Sequence, residues 1–176
     1  LAMLVVVVDV SGQTSGQTTA AALNLTTSAR VGALGSMYLS VNDDDINVAV
    51  NNPTLISDKM NNQLSLSYVS LFSGSGYGGV YYGRKVKKWG SFVVGLQYVG
   101  YGSFDGYDED ENYEGKFVAA DYMMYIGWCR KLGKRWRMGA SFKPMLSHYE
   151  SYTSMAVAFD LGVTYKPIKN LQISAA

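Results

Sequence analysis

The chain has 176 residues and a formal net charge of +1, so it is long enough for one ordinary domain and shows no electrostatic preference for nucleic acid. It contains 14 tyrosines and 19 glycines but one histidine and one cysteine, a composition that favours β-structure with exposed aromatic surface over a helical enzyme. The lone Cys129 cannot form an internal disulfide, so the cysteine count does not identify a redox compartment.

Residues 1–12 are predicted to be the remnant of a secretory signal peptide. Residues 1–8 are apolar but far fewer than the roughly 20 that span a bilayer as a helix. Val10, Ser11 and Gly12 form a plausible small-residue cleavage site, which implies export. The alternative is a buried first strand, because four consecutive valines have high β-propensity.

Residues 13–62 precede the alternating part of the chain, and we predict a polar, glycine-bearing segment of short irregular or helical structure. Gly32 and Gly35 permit close backbone approach, and Pro53 restricts Asn52 to an extended conformation. The alternative is an exposed N-terminal tail, since chain ends are often poorly ordered.

Three consecutive aspartates, Asp43, Asp44 and Asp45, resemble the start of a calcium loop. The sixth position of that loop is Val48 where glycine is needed, and the twelfth is Thr54 where glutamate is needed. We therefore reject a calcium site and expect Arg30 to pair with one of the aspartates.

From Gln63 onward the hydrophobic period is two, which predicts about seven strands of an antiparallel up-and-down sheet over residues 63–176. Each strand has one apolar, aromatic face and one face of small or charged residues. The apolar face carries Phe92, Val94, Leu96 and Tyr98 in one strand, Tyr122, Met124, Ile126 and Trp128 in the next, then Trp136, Met138, Phe142 and Leu146, and then Met155, Val157, Phe159, Leu161, Val163 and Tyr165.

The connections alternate between short basic turns, at residues 84–89, 130–136 and 166–170, and longer loops at the other end. The acidic loop at residues 102–117 is predicted to be long, and those at residues 73–79 and 147–154 to be shorter. Trp89, Trp128 and Trp136 lie near the basic turns, whereas Tyr98, Tyr101 and Tyr149 lie near the longer loops. Two aromatic levels that flank an apolar band are typical of the girdles of an outer-membrane β-barrel. We therefore interpret the first five of these aromatics as membrane-interface residues.

The competing interpretation is a soluble secreted β-sandwich or a lipocalin-like barrel, whose apolar faces would be its core. The opposite face favours a membrane barrel, because it carries charged residues in mid-strand among glycine, alanine and serine. Strands of about ten residues or more also suit a membrane crossing better than a soluble sheet. We predict that these residues, Asp121, Arg137, Lys143 and Asp160, face a narrow polar lumen, and that Asp121 or Asp160 pairs with Lys143 or Arg137.

No pattern of catalytic, cofactor-binding or metal-binding residues is found. The stretch Gly74 to Gly79 matches G-x-G-x-x-G but precedes another strand, so no helix N-terminus exists to hold a pyrophosphate. His148 has no second metal ligand or nucleophile motif near it in the sequence. The acidic run at residues 108–111 is interpreted as a solvated loop. We therefore predict a protein that is not an enzyme.

The chain after Gln13 resembles the FadL-like outer-membrane proteins and, within them, the barrel proteins of the type IX secretion system of Bacteroidetes bacteria. The family pattern is a Ser-Ala-Arg, a Gly-rich Ala-Leu-Gly stretch, an acidic pair and an Asn-Pro-Ala, in which Thr54 here replaces the alanine and Ser36 a usual second glycine. The residues that match it are Ser28, Ala29, Arg30, Gly32, Gly35, Asp43, Asp44, Asn52 and Pro53.

The resemblance implies an all-β, antiparallel up-and-down transmembrane β-barrel in the outer membrane, of which residues 63–176 are the first seven of roughly fourteen strands, with the C-terminal part missing. It also implies that residues 13–62 lie in the lumen of the barrel as a plug. It implies no cofactor and a role in anchoring a cell-surface attachment complex. The partners would be other secretion components, namely a sortase-bearing complex and a PorZ-like protein, together with outer-membrane lipid. The alternative function is transport of small hydrophobic molecules through the lumen.

Overall fold

The computed structural model describes residues 25–33, 44–107, 113–149, 152–168 and 171–175. The predicted signal-peptide remnant, Gly35 and Asp43 lie outside these ranges. A short helix, α1, covers Ala29–Ala33, and four 3-10 helices cover Ile46–Val50, Pro53–Leu55, Asp58–Met60 and Phe72–Gly74. The seven strands are β1 (Leu64–Ser70), β2 (Gly76–Val86), β3 (Gly90–Tyr107), β4 (Tyr113–Leu132), β5 (Trp136–Tyr149), β6 (Tyr152–Ile168) and β7 (Leu171–Ala175).

The strands form one antiparallel sheet in chain order, from β1 to β7. This confirms the predicted antiparallel up-and-down arrangement, in which every neighbour is joined by a hairpin. Strands β3, β4 and β6 have 18, 20 and 17 residues, about three times the length common in globular proteins. Among the described residues β1 and β7 each pair with a single strand, so these seven strands do not close into a barrel.

Two of the predicted loops are shorter than the sequence suggested. Strand β3 runs to Tyr107 and β4 begins at Tyr113, because the Phe104 and Phe117 rings stack across the pair at 5.4 Å and extend the ladder. Likewise Tyr149 pairs directly with Tyr152, so β5 and β6 continue through most of the predicted loop at residues 147–154. Glycine, tyrosine and acidic residues suggested loops in both places, but aromatic cross-strand pairs stabilise strands there.

The two faces of the sheet differ sharply in exposure. One face, which we call the outer face, presents large apolar side chains, and Leu66, Phe159 and Leu161 are 81%, 72% and 76% exposed. The other, the inner face, is covered by residues 44–60, which we call the inner segment. The inner segment contacts strands from β1 to β6.

The principal core lies between the inner segment and the inner face. The segment contributes the buried side chains Ile46, Val48, Ala49, Leu55, Ile56 and Met60, and the sheet contributes Tyr81, Val93, Tyr125 and Cys129. A second cluster lies nearer the hairpin ends at Tyr107 and Tyr149, where Val99, Met123 and Met145 pack with Leu25 and Tyr101. The apolar contacts of the fold are therefore made on the inner side, while the outer face has no covering layer among the described residues.

Candidate functional site

The inner segment lies directly on the backbone of the sheet at two glycines. A Cβ atom at Gly83 would lie 2.2 Å from the carbonyl oxygen of Met60, and one at Gly139 would lie 2.7 Å from the backbone of Pro53 and Thr54. Real Cβ atoms do not approach backbone so closely, so only glycine admits the segment at this depth.

A chain of hydrogen bonds fixes the middle of the inner segment. Asn52 precedes the 3-10 helix at Pro53, and its side-chain oxygen accepts from the backbone nitrogen of Thr54 at 2.9 Å and from the Thr54 hydroxyl at 2.8 Å. The Thr54 hydroxyl lies 2.6 Å from that of Thr164 on β6, which in turn lies 2.8 Å from the Ser174 hydroxyl on β7. Since Thr54 donates to Asn52, it accepts from Thr164. Asn52, Thr54 and Thr164 are fully buried. Each hydrogen bond therefore satisfies a polar group whose burial without a partner would lower the stability of the fold.

The aspartates at the start of the inner segment are held by hydrogen bonds and ion pairs. Asp45 caps the 3-10 helix at Ile46 by accepting from the Asn47 backbone and pairs with Arg30 at 3.0 Å. Burial would raise the pKa of Asp45, but hydrogen bonds from Asn47 and Arg30 outweigh it and leave that pKa lowered. These hydrogen bonds and the ion pair account for the charge of Asp45 without a bound cation.

Asp44 joins the two ends of the inner segment. It accepts hydrogen bonds from Lys59 at 2.7 Å and from the Ser57 hydroxyl at 2.8 Å. These bonds, the one from Lys59 first, hold the pKa of Asp44 below its usual value. Arg137, predicted to face a lumen, lies close enough on β5 to lower that pKa further through its charge.

Asp58 ties the segment to the basic turns. One carboxylate oxygen pairs with Lys131 at 2.8 Å and with Lys85 at 3.0 Å, and the other accepts from the Ser91 hydroxyl at 3.0 Å. The Lys131 ammonium lowers the pKa of Asp58 well below its usual range, against the opposing effect of burial. One side chain thus holds the ends of β2, β3 and β4 to the segment.

Replacing Asp58 with asparagine should lower stability near neutral pH by about 1 kcal/mol, because its pairs are half-exposed. The folded-state pKa of Asp58 lies below the unfolded value of about 3.9. The carboxylate therefore contributes stability above that pH, and this contribution is lost as the pH falls through the folded-state pKa. The urea midpoints of wild type and Asp58→Asn should therefore differ at pH 7 and converge below about pH 4.

Lys131→Gln provides the matched control for that prediction. Its effect should overlap with that of Asp58→Asn, so the double variant should cost less than the sum of the two. A difference between wild type and Asp58→Asn that grew at acid pH would contradict the assigned role of the carboxylate.

The remaining charged residues predicted to face a lumen lie on the inner face. Lys143 pairs with Asp160 at 2.7 Å, and Asp160 also accepts from Ser141. Asp121 is buried and accepts from the Tyr101 hydroxyl at 2.6 Å. These residues form separate contacts rather than one site.

Tyr101 corrects the predicted set of membrane-interface aromatics. It follows the same alternation as Gln97 and Val99, which are buried on the inner face, and it packs in the second core cluster. Tyr101 lies near a predicted loop in the sequence, which suggested an interface position. Side chains alternate between the two faces along a strand, and the position of Tyr101 in β3 places its side chain on the inner face.

The other tyrosine of that level lies on the outer face. The Tyr98 and Tyr122 rings are cross-strand neighbours at 5.3 Å, and Tyr68 lies in the same row across Gly78. All three tyrosines are exposed.

The tryptophans form a second level near the basic turns. The indole nitrogen of Trp128 donates to the Trp89 carbonyl at 2.7 Å, and the Trp136 and Tyr165 rings lie 4.5 Å apart. Trp89 is 67% exposed and Trp136 is also exposed. The outer face is thus bounded by tyrosines at one level and tryptophans at the other.

The inner face ends in an open apolar cup beyond the second core cluster. A cavity of about 300 Å³ is lined by Tyr101, Phe104, Phe117, Ala119 and Tyr149. No residue of the inner segment lines this cup.

Sequence reasoning did not identify several residues that build this site. Tyr81 and Tyr125 are almost completely buried beneath the segment, and the Tyr125 hydroxyl donates to the Ala49 carbonyl. Asp58 was overlooked because it stands alone in the sequence. The apolar residues interspersed at Ile46 and Leu55 were the available signal that the segment is part of a core.

Known proteins provide no assignment for this arrangement. No protein-family model matches the sequence, and neither the curated proteins nor the solved structures include a significant match. Among the described residues no three His, Cys, Asp or Glu side chains gather as a metal site would require. No helix in the described ranges is both long and apolar enough to span a membrane.

Proposed function

We propose that the chain forms part of an outer-membrane β-barrel whose outer face contacts lipid. The observation that carries this proposal is the exposed apolar face, which includes Leu66 on β1, Leu96 on β3, and Phe159 and Leu161 on β6. Exposed apolar surface of this extent marks an interaction site or a membrane contact. The inner face packs against the inner segment in its own core, so the lipid contact is assigned to the outer face.

The spacing of the aromatic levels supports a membrane contact. Leu132 follows Tyr122 by ten positions on β4 and pairs with Trp136. Ten residues of strand extend about 34 Å, which corresponds to roughly 25 Å across a bilayer for strands tilted by about 40°. That is about the height of the apolar band in outer-membrane barrels.

The proposal requires further strands beside β1 and β7. Each has an edge with no partner strand among the described residues, and unpaired backbone groups in lipid cost several kcal/mol each. Strands from the same polypeptide or from a second copy would close the barrel.

Within this class we propose a role like that of PorQ, a barrel of the type IX secretion system, as a non-enzymatic anchor for a cell-surface attachment complex. The support is the resemblance of residues 28–53 to the N-terminal signature of that family. A covered inner face also suits an anchor, because Asn52 and Thr54 of the inner segment and Tyr125 of the sheet are fully buried where the segment meets the sheet.

The test is a pull-down of the tagged full protein from native Bacteroidetes membranes. The expected result is recovery of the sortase-bearing complex and a PorZ-like protein, with an unrelated tagged outer-membrane barrel as the control. If no secretion component is enriched over that control, the anchoring role is wrong, although the membrane location is not affected.

A second candidate function is uptake of small hydrophobic molecules, and the cup is the observation that favours it. Its aromatic lining at Phe104 and Phe117 could receive an acyl chain. Uptake of a labelled fatty acid should then depend on the protein and fall in Phe117→Asp, while Phe159→Tyr on the outer face should have no effect. Equal uptake with and without the protein would remove this candidate.

A further inference from the structure

The basic residues of the chain are concentrated at one end of the sheet. Lys87, Lys88, Arg130, Lys131, Lys134 and Arg135 lie in or beside the β2–β3 and β4–β5 turns, and all six are exposed. We call them the basic rim. Two acidic residues, Asp105 and Glu114, lie at the opposite end of β3 and β4. A net charge of +1 therefore conceals a separation of charge along these strands.

Much of the positive charge of the rim is not neutralised within the described structure. A cavity of about 270 Å³ lies between the β2–β3 turn and the end of β4, and Asp58 is its one acidic lining residue. Asp58 is already paired with Lys85 and Lys131. Lys87, Lys88 and Arg130 form no ion pair within the described ranges. The cavity therefore has an excess of donors that suit an anion.

The rim is continuous with the outer apolar face. Trp89 and Trp136 lie next to it, and Trp89 extends from the β2–β3 turn itself. Tryptophans of this kind mark the level of lipid headgroups, so cations just beyond them lie at the level of lipid phosphates. Each Lys and Arg near an anionic bilayer surface strengthens the attraction to it.

We propose that the basic rim binds the phosphates of anionic lipid headgroups in the leaflet on its side of the membrane. This inference rests on the proposed membrane location. The rim selects anionic over zwitterionic lipid around this end of the barrel and, with the acidic residues at the other end, biases the orientation of the sheet.

The test uses the full protein reconstituted in phosphatidylcholine bilayers with spin-labelled lipids, whose motionally restricted fraction reports lipid in contact with the protein. Spin-labelled phosphatidylglycerol should be selected over spin-labelled phosphatidylcholine roughly fivefold or more at low salt. The variant K87Q/K88Q/R130Q/K134Q, which removes four of the six rim charges, should reduce this selectivity severalfold. It leaves Lys85 and Lys131 in place, so the contacts of Asp58 are kept.

The charge-retaining variant K87R/K88R/R130K/K134R is the matched control and should keep the selectivity. Absence of selectivity in the wild type, or unchanged selectivity in the glutamine variant, would overturn the inference while the membrane location stood. Loss of selectivity on adding inorganic phosphate, but not chloride of equal ionic strength, would mean that the rim takes free phosphate instead of lipid. No motionally restricted lipid at all would overturn the proposed function, and this inference with it.

Discussion

An arginine in place of Leu96 or Leu161 is expected to lower the stability of the assembled barrel by about 2–4 kcal/mol. Both residues are 59% or more exposed on the outer face and lie between the tyrosine and tryptophan levels. A charged side chain at that depth must be desolvated in lipid. The measurement is a urea titration of the full protein in lipid vesicles, scored by heat-modifiable gel mobility.

The control for that experiment is an arginine on the same face but at a different depth in the bilayer. Val86→Arg lies on the same exposed face but next to the basic turn, where the cost should fall to about 0–1 kcal/mol. Ser141→Cys, on the inner face, should leave assembly intact. Tolerance of arginine at Phe142 together with failure of Ser141→Cys to fold would mean that the two faces are assigned the wrong way round.

Gly139→Val should detach the inner segment from the sheet. A Cβ atom there meets the backbone of Pro53 and Thr54, which cannot rotate away, so overpacking of about 1–3 kcal/mol is expected. Valine itself suits a strand, so the loss comes from the displaced segment. The buried Cys129, whose thiol lies 3.5 Å from the Thr54 carbonyl, is a natural reporter.

Reaction of Cys129 with a small thiol reagent should be roughly tenfold to a hundredfold faster in Gly139→Val, since each 1.4 kcal/mol is a factor of ten. Gly32→Ala is the control, because a Cβ atom there meets only Thr26 at an ordinary 3.5 Å. Unchanged reactivity in Gly139→Val would show that the segment does not depend on this close approach.

The sheet could be predicted from the sequence because its signal is local. Alternation with period two assigns Leu96 and Phe142 to one face and Gln97 and Ser141 to the other, and the structure has the same division. The order of the strands followed from hairpin turns between consecutive runs. The pairing of Lys143 with Asp160 is one of the four carboxylate–cation pairs that the sequence left open.

The packing of the inner segment could not be predicted in the same way. It has no periodicity, and its contacts join residues distant in sequence, such as Ala49 with Tyr125 and Asp58 with Lys131. The segment was expected to be mainly polar, whereas Ile46, Leu55 and Met60 form its buried side. Such long-range contacts depend on tertiary geometry that local patterns do not encode.

Whether the outer face is in contact with lipid can be measured by fluorescence quenching. A polarity-sensitive fluorophore attached to single cysteines at Leu96, Met124 and Leu161, in a Cys129→Ala background, should be quenched strongly by lipids brominated in mid-chain. Cysteines at Ser154 and Tyr152, at the far ends of the strands, should respond instead to a water-soluble quencher. Quenching of positions 96, 124 and 161 by the water-soluble agent alone would contradict the assignment of the outer face to the membrane.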